Sequence, residues 1–406
     1  MPAVVRILPT PEAEALLGLV RDIVDGEVAP KAASMEERAE FPRELFRTLG
    51  RAGLLGLPYE ERYGGGGQPY EVYLQVLEEI GRAWAAVAVG VSVHVLSCFP
   101  LSAYGTDAQK DRWLPDLLGG ELLGAYCLSE AQSGSDAAAL VTRARLEGDS
   151  YVVDGTKAWV THGGHADVYN LMVRTGEEGP AGISCLFADA STPGLLPQRP
   201  ERKMGMRSSP TASILLDGAR VPADRLLAGE GQGFRIAMSA LDSGRLGISA
   251  CAVGLAQAAL DLAVDYARER QQFGQRIADF QGLSFLLADM ATQVEAARAL
   301  YLSAARRKDL GMPYATQASM AKMFASDTAM RVTTDAVQVL GGYGYVEDFP
   351  AERYFREAKI MQIFEGTNQI QRVVIGRALT PLTPGTSGRS GRSGTPAPPG
   401  IPRTHR

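Results

Sequence analysis

The chain has 406 residues, of which 46% are apolar, and its formal net charge is −5. This length and apolar content are enough for two or three folded domains with a large core. The negative charge argues against a general nucleic-acid-binding protein, because such proteins carry clustered basic residues. Four cysteines without metal-ligand spacing indicate a reducing compartment.

Local sequence patterns argue against secretion, a membrane-spanning segment and a metal site. The N-terminus lacks a basic region followed by an apolar run, so no signal peptide is expected. The most apolar stretch, 84–96, is interrupted by Ser92 and His94 and is too short to span a bilayer, which predicts a buried core helix. His162 and His165 have no third ligand nearby in the sequence, so no metal site is expected. A cytoplasmic location follows from these features.

Residues 1–121 are predicted to form an N-terminal helical domain. Apolar residues recur there at helical spacing, as at Leu16, Val20 and Val24. The glycine run 64–67 interrupts this region. Because no Lys-Ser/Thr pair follows it, a flexible connector is a better interpretation than a phosphate-binding loop.

Residues 122–232 are predicted to form a central antiparallel β domain. Short apolar or alternating segments lie between turn signals, and the prolines between residues 193 and 210 do not suit helix interiors. The strongest strand predictions cover 140–146, 151–153, 168–173, 183–188 and 213–216.

Residues 233–379 are predicted to form a C-terminal four-helix bundle, which makes the whole chain an α+β multi-domain protein. The expected helices cover 234–266, a segment around 286–301, 316–340 and about 370–379. One of them carries an apolar stripe typical of a core face. The stripe consists of Leu286, Met290, Val294, Ala297 and Tyr301. The remaining residues, 380–406, are rich in Pro, Gly and Arg and are predicted to be disordered.

The most suggestive motif is Phe-Glu-Gly-Thr-Asn-Gln-Ile-Gln at 364–371. A glycine after Glu365 permits close approach of backbone or substrate. The aromatic Phe364 can exclude water and raise the pKa of the carboxyl group, as a general base requires. Alone this would be weak evidence, because most glutamates are solvated surface groups.

Two upstream segments add a second kind of chemistry. They are Ala-Tyr-Cys-Leu-Ser-Glu-Ala-Gln-Ser-Gly-Ser-Asp at 125–136 and Lys-Ala-Trp-Val-Thr-His-Gly-Gly at 157–164. Each offers an aromatic side chain, hydroxyls and backbone donors, a combination that suits a flat heteroaromatic ring with polar edges. The alternative is a pair of ordinary polar loops between strands.

In this order the motifs resemble those of the acyl-CoA dehydrogenase family. Further family-like motifs are Asp-Ser-Gly-Arg at 242–245, Arg-Gln-Gln-Phe-Gly at 270–274 and Gln-Val-Leu-Gly-Gly-Tyr-Gly at 338–344. The resemblance covers about residues 10–379 and is nearest to the short-chain and branched-short-chain subgroup. It implies the three-part fold described above, FAD as cofactor and an acyl-CoA thioester as substrate.

The resemblance also implies roles for individual residues. Glu365 is the implied catalytic base. The flavin ring is implied to contact Tyr126, Leu128, Ser129, Trp159, Val160 and Thr161. The FAD of a neighbouring subunit is implied to contact Arg270, Gln281, Gln338, Val339, Leu340, Gly341 and Gly342. The ADP part of FAD is implied to contact Thr367 and Gln369, and Asn368 is a further implied cofactor-binding residue. The acyl-CoA is implied to contact Ser135, Asp242, Arg245 and Gly366.

The implied reaction is α,β-dehydrogenation to a trans-2-enoyl-CoA, with Glu365 taking the α-proton and flavin N5 taking a hydride. One branch of the family carries its base at the third position of the Asp-x-x-Arg motif. That position is Gly244 here, which has no basic group. Two departures from the family pattern are Ser129 in place of a threonine and His162 in place of an asparagine; the serine keeps a hydroxyl group.

The implied assembly is a homotetramer built as a dimer of dimers, with electron-transferring flavoprotein as electron acceptor and fatty-acid β-oxidation as the setting. Three alternatives stay open at this point: an acyl-CoA oxidase, a biosynthetic enzyme acting on a carrier-protein thioester, and a silent acyl-CoA-binding scaffold. Short or branched-short acyl chains are favoured over medium ones, and Phe364 and Leu96 are candidates for lining the acyl pocket.

Overall fold

The computed structural model describes residues 4–380, and this part of the chain begins with helices. Thr10 caps the first helix by accepting a hydrogen bond from the Ala13 backbone N–H, and Thr106 and Gln109 form a capping box at the sixth. The predicted N-terminal helical region is confirmed. Its helices are α1 (Pro11–Ile23), α2 (Ala29–Arg38), α3 (Arg43–Arg51), α4 (Tyr70–Ala83), α5 (Ala85–Tyr104) and α6 (Asp107–Leu118).

Helix α5 is the apolar segment expected from the sequence, but it is longer than predicted. With 20 residues, α5 is long and apolar enough to cross a membrane, and so is α7 (Gly233–Glu269). Within the protein, 89% of the apolar window of α5 and 83% of that of α7 are buried. The expectation about length was therefore wrong, whereas the prediction of a buried core helix is confirmed.

The central part of the chain forms one eight-stranded sheet with the order β6-β7-β3-β2-β4-β5-β8 and β1 beside β4. Most neighbours are antiparallel, as predicted, but β1 and β2 each pair with β4 in parallel. Parallel neighbours need a long connection, and β4 returns to β1 only after β2 and β3 have formed a hairpin. The strands are β1 (Gly124–Cys127), β2 (Arg143–Glu147), β3 (Ser150–Thr161), β4 (Val168–Arg174), β5 (Ile183–Asp189), β6 (Leu195–Pro197), β7 (Thr211–Pro222) and β8 (Leu226–Leu227).

Helices follow the sheet, and three long ones, α7, α8 and α9, together with the shorter α12 match the four predicted helices. The stripe on α8 is buried from Met290 to Tyr301, whereas Leu286 is only partly buried. Of the predicted tail 380–406, all but Thr380 lies outside the described residues. Besides α7, the helices are α8 (Gln281–Asp309), α9 (Ala315–Leu340), α10 (Gly342–Tyr345), α11 (Ala351–Met361) and α12 (Asn368–Leu379); a hairpin of β9 (Gln271–Gln272) and β10 (Gln275–Arg276) joins α7 to α8.

Helix α7 connects the two helical parts of the molecule through close contacts made by glycines. A Cβ added at Gly254 would overlap the backbone of Glu78 on α4, and one added at Gly247 would overlap the Ser92 hydroxyl on α5. One hydrophobic cluster therefore runs from α4 and α5 through α7 to α9. This packing fixes α7 as a wall between the N-terminal helices and the turn that carries Glu365.

Candidate functional site

Glu365 lies in the turn between α11 and α12 in an unfavourable backbone conformation. Its φ is 54°, in the left-handed region, where a residue other than glycine is strained by about 1–3 kcal/mol. The turn is held by Lys322 of α9, whose Nζ donates to the Gly366 carbonyl at 2.8 Å and to Asn368 Oδ1 at 3.0 Å. Gln371 Nε2 also donates to the Gly366 carbonyl, at 2.8 Å. These bonds keep the Glu365 side chain in one place.

The Glu365 carboxylate has the electrostatics of a proton acceptor. Its Oε2 atom is buried and has no hydrogen-bond partner within residues 4–380. Burial raises the pKa of Glu365 to about 7, against the opposing attraction of Arg245 and Lys322. A base is most effective when its pKa lies near the working pH. The raised carboxyl pKa predicted from the sequence is confirmed.

Gly244 of α7 faces this carboxylate directly. A Cβ added at Gly244 would overlap Glu365 Oε2. A side chain at position 244 would therefore occupy the space that the Glu365 carboxylate occupies now. The resembled family has a branch that carries its base at this position. The absence of a side chain at Gly244 makes room for the carboxylate.

A cavity of about 240 Å³ opens beside Gly244. Helix α5 contributes its apolar wall through Val95, Leu96 and Phe99, and Ser92 lies on the same helix. Leu96 therefore lines the cavity as expected. Phe364 does not; it packs against the helical core instead.

Asp242 and Arg245 lie on the same helix as Gly244 and form an ion pair. Asp242 Oδ1 accepts a hydrogen bond from Arg245 Nη1 at 2.7 Å. The Arg245 Nε atom is buried and has no partner among the described residues. One donor at the edge of the site is therefore available to a ligand.

Strand β3 exposes Trp159, the aromatic residue of the 157–164 segment, through a β-bulge. Between Lys157 and Val160, β3 has one more residue than its partner β7. Trp159, inside the bulge, has a φ of 61° and is 62% exposed. Bulges redirect side chains and are frequent beside active sites. The exposed indole offers a flat surface that an aromatic ring can contact.

The loop that carries Ser129 is fixed against β3 by a buried ion pair. Lys157 Nζ lies 2.7 Å from Glu130 Oε1, and both side chains are at most 1% exposed. Glu130 also accepts hydrogen bonds from the backbone N–H groups of Val141 and Thr142, and Ala158 N–H donates to the Ser129 carbonyl at 2.9 Å. A buried charge is stable only when paired in this way. Lys157 and Glu130 lie within the two upstream segments, but their anchoring role was not predicted from the sequence.

The residues predicted to hold a flavin ring meet along this loop and strand. Tyr126 and Leu128 precede Ser129 at the end of β1, and Val160 and Thr161 follow Trp159 on β3. The Tyr126 hydroxyl is buried without a hydrogen-bond partner in the described chain. An orphaned phenol on β1 and an exposed indole on β3 both suit a flat ligand with polar edges. Ser135, further along the loop, is exposed.

The residues predicted to meet a neighbouring subunit's FAD lie at the ends of α7, α8 and α9. Val339 and Leu340 are buried, so their side chains belong to the core of this chain. The β9–β10 hairpin beside Arg270 places Phe273 at its tip, 95% exposed. The exposed members of this set are Arg270, Gln281, Gln338, Gly341 and Gly342.

The start of α12 shows structural roles for two predicted cofactor residues. Thr367 Oγ1 accepts a hydrogen bond from the Ile370 N–H at 3.2 Å and so caps the helix. The Asn368 side chain is 3% exposed and bonds to Ser326 and Lys322. Gln369 is exposed. No local pattern pointed to Lys322, because it lies more than 40 residues away from the turn that it holds.

Comparisons with known proteins agree with this geometry. Residues 10–121, 125–219 and 231–380 match the N-terminal, middle and C-terminal domains of acyl-CoA dehydrogenases. An acyl-CoA dehydrogenase of Bacillus subtilis is 46% identical over 91% of this chain and 98% of its own length. A short-chain-specific acyl-CoA dehydrogenase of Clostridium acetobutylicum is 40% identical over 90% of this chain and 97% of its own.

Solved structures show the same relationship at the level of the fold. Butyryl-CoA dehydrogenase from Megasphaera elsdenii superposes with a TM-score of 0.90 at 41% identity, covering 92% of this chain and all of that one. A chain from a structure described as electron transferring flavoprotein of Acidaminococcus fermentans gives a TM-score of 0.91 at 41% identity, covering 93% of this chain and all of that one. The chain therefore belongs to the acyl-CoA dehydrogenase family, whose members are FAD-dependent oxidoreductases.

Proposed function

We propose that Glu365 is the catalytic base that removes the α-proton of an acyl-CoA thioester. The observation that carries this proposal is the buried Oε2 atom, which has no partner among the described residues and a carboxyl pKa of about 7. At neutral pH a large fraction of such a group is ionised, and its desolvation makes it more basic than a surface carboxylate. Gly244 leaves the space in front of it open.

The same turn can also stabilise negative charge on the thioester oxygen. Within residues 4–380, the Glu365 backbone N–H has no acceptor, whereas the N–H groups of Phe364 and Asn368 both donate to carbonyls of the turn and of α11. A positioned backbone donor of this kind contributes roughly 3 kcal/mol to transition-state stabilisation. Glu365 would then serve through both its side chain and its backbone. Gly366, with a φ of 86°, lets the substrate approach that backbone.

Bound FAD supplies the acceptor for the hydride that leaves the β-carbon. In this chain, Tyr126, Leu128 and Ser129 would hold one edge of its ring, and the β3 residues Trp159, Val160 and Thr161 the other. The proposed contacts to the FAD of a second subunit are Arg270, Gln281, Gln338, Val339, Leu340, Gly341 and Gly342. At the ADP part of FAD the proposed contacts are Thr367 and Gln369. Asn368, also proposed as a cofactor contact, has a buried side chain whose polar atoms are bonded to Lys322, Ser326 and Asp327, so its proposed role is to hold the start of α12.

The substrate is proposed to be a short acyl chain. Ser92 lines the cavity, and Gly247 on α7 packs against its hydroxyl, three residues beyond Gly244. Three residues of α-helix rise about 4.5 Å, so we expect the cavity to end roughly one helical turn beyond the carboxylate. The short-chain-specific and butyryl-CoA relatives support the same choice. Ser135, Asp242, Arg245 and Gly366 would contact the thioester and its CoA part.

We also propose an assembly, an electron acceptor, a cellular location and a metabolic role for this protein. A homotetramer built as a dimer of dimers would place the exposed Arg270 and Gln338 against a second cofactor. An electron-transferring flavoprotein is the proposed electron acceptor, supported by the similar chain in the Acidaminococcus fermentans structure. A cytoplasmic location and a role in β-oxidation complete it.

Anaerobic bleaching of the flavin by butyryl-CoA tests the base assignment. Glu365→Gln is expected to keep bound FAD and to lose at least about 100-fold in bleaching rate, since a positioned base contributes roughly 10²–10⁴. Glu37→Gln, on the exposed face of α2, is the matched control and is expected to bleach like the wild type. Bleaching of Glu365→Gln at the wild-type rate would show that another group takes the proton.

A further inference from the structure

Lys308, near the end of α8, places a positive charge in the wall of the cavity beside Gly244. Its side chain is half-buried and lines the cavity together with Tyr70, Ser243 and Gly244. The Nζ atom lies 4.7 Å from the centre of the Tyr70 ring and 5.2 Å from that of Tyr314. Two aromatic faces therefore hold the ammonium group by cation–π attraction.

The carboxylates around Lys308 are already bonded to other groups. Asp309 accepts hydrogen bonds from the backbone N–H groups of Tyr70 at 2.7 Å and Glu71 at 3.1 Å, at the start of α4. Asp242 accepts from Arg245 at 2.7 Å.

Glu60, which also lines the cavity, pairs with Arg62 at 2.9 Å. Within residues 4–380, no carboxylate lies within 4.0 Å of the Lys308 ammonium group, and no hydrogen bond uses its three donors.

The tyrosines that hold Lys308 are tied to the catalytic segment of α7. The Tyr70 hydroxyl donates to the Ser243 carbonyl at 3.0 Å, and the Ser243 hydroxyl lies 2.9 Å from the Tyr314 hydroxyl. Ser243 directly precedes Gly244, which faces Glu365. The position of the ammonium group relative to the base is therefore fixed by packing and hydrogen bonds.

A half-buried ammonium without an acceptor is unfavourable unless a ligand supplies one. Burial lowers the pKa of Lys308, against the attraction of Asp309 and Asp242. Proteins ordinarily pair such charges. The other cations of the site, Arg245 and Lys322, each have acceptors in the chain.

We propose that Lys308 binds an anionic group of the thioester substrate and so contributes to substrate selection. This inference rests on the proposed function. The anionic group has two possible sources with the same chemistry: a phosphate of the CoA part, or a carboxylate at the far end of a dicarboxylic acyl chain. Both would supply oxygen acceptors to the three ammonium donors.

Calorimetric binding to the FAD-loaded enzyme tests this, with non-oxidisable thioether analogues of butyryl-CoA, butyryl-pantetheine and glutaryl-CoA as probes. The variants are Lys308→Met and Lys308→Arg, and the control is Lys31→Met, which removes an exposed lysine of α2. Loss of a hydrogen-bonded charge pair is expected to weaken binding at least about 10-fold in Lys308→Met. Lys308→Arg is expected to recover most of that loss, and it remains informative if the methionine variant fails to fold.

The pattern of losses identifies the source. If the phosphate is bound, Lys308→Met weakens the butyryl-CoA analogue much more than the phosphate-free pantetheine analogue. If a carboxylate is bound, the glutaryl-CoA analogue loses more than the butyryl-CoA analogue. Changes under twofold for all three probes in every Lys308 variant would overturn the inference. The binding measurement does not require flavin reduction. Failure of the Lys308 inference is therefore distinguishable from failure of the proposed function, which would appear as a wild-type enzyme that binds thioesters but whose flavin is not bleached.

Discussion

Replacing Glu365 by glutamine is expected to stabilise the folded protein while it removes activity. The unfolded chain ionises this carboxyl group near its ordinary pKa of 4.5, and burial raises the folded value to about 7. The folded state therefore binds the proton more tightly, so ionisation of Glu365 destabilises it as pH rises above about 4.5. The effect is complete above pH 7 and amounts to roughly 3 kcal/mol.

The experiment compares unfolding of the wild type and Glu365→Gln, both saturated with FAD, at pH 5.5 and pH 8.5. Glutamine has nearly the same shape and no charge, so the variant is expected to gain about 1.4 kcal/mol at the lower pH and about 3 kcal/mol at the higher one. Glu37→Gln, which removes an exposed carboxylate, is expected to change stability by less than about 0.5 kcal/mol at either pH.

The same ionisation predicts the pH dependence of catalysis. Only ionised Glu365 can accept the α-proton, so kcat/KM of the wild type is expected to fall tenfold per pH unit well below pH 7. A Glu365→Gln variant that gains no more stability at pH 8.5 than at pH 5.5 would refute the desolvation argument. A wild-type profile that stays flat down to pH 5 would refute it independently.

Three further substitutions test other parts of the site. Gly244→Ala would push a methyl group into Glu365 Oε2 and is expected to slow flavin bleaching at least about 10-fold with FAD retained, whereas Gly282→Ala, in open space on α8, should not; equal rates would contradict the packing. Lys157→Met leaves the Glu130 charge buried and unpaired and is expected to cost about 3–5 kcal/mol in denaturant unfolding; a loss below about 1 kcal/mol would count against a buried anchor. Ser92→Met fills the end of the cavity and is expected to lower the hexanoyl-to-butyryl ratio of kcat/KM about 10-fold; an unchanged ratio would show that Ser92 does not limit chain length.

Much of the secondary structure could be predicted from local patterns. The apolar stripe from Met290 to Tyr301 is buried as its spacing indicated, because helical periodicity places those side chains on one face. The helix predicted over 316–340 is observed as Ala315–Leu340. The parallel pairing of β1 with β4 could not be predicted in this way, since it joins segments about 40 residues apart and depends on how the intervening hairpin folds.

The site was predictable in its residue types and less so in its supporting contacts. The motif around Glu365 indicated a carboxyl group with a raised pKa, and the structure confirms the shift. Phe364, the neighbour credited with excluding water, packs into the core instead of lining the cavity. Burial of the carboxylate comes from the whole turn and from α7.

The sequence by itself determined the family, the cofactor and the identity of the candidate base, because those depend on short motifs whose residues carry the chemistry wherever they fold. Only the tertiary structure decided what surrounds that base. Gly244 meets Glu365 across more than 100 residues of chain, Lys322 holds its strained turn from α9, and Gly247 packs against the hydroxyl of Ser92 in the cavity wall. The two glycine contacts depend on elements that pack as closely as a missing Cβ allows. The lysine contact depends on where α9 lies relative to the turn. Both are relations between elements distant in the chain, and a single segment of sequence does not reveal them.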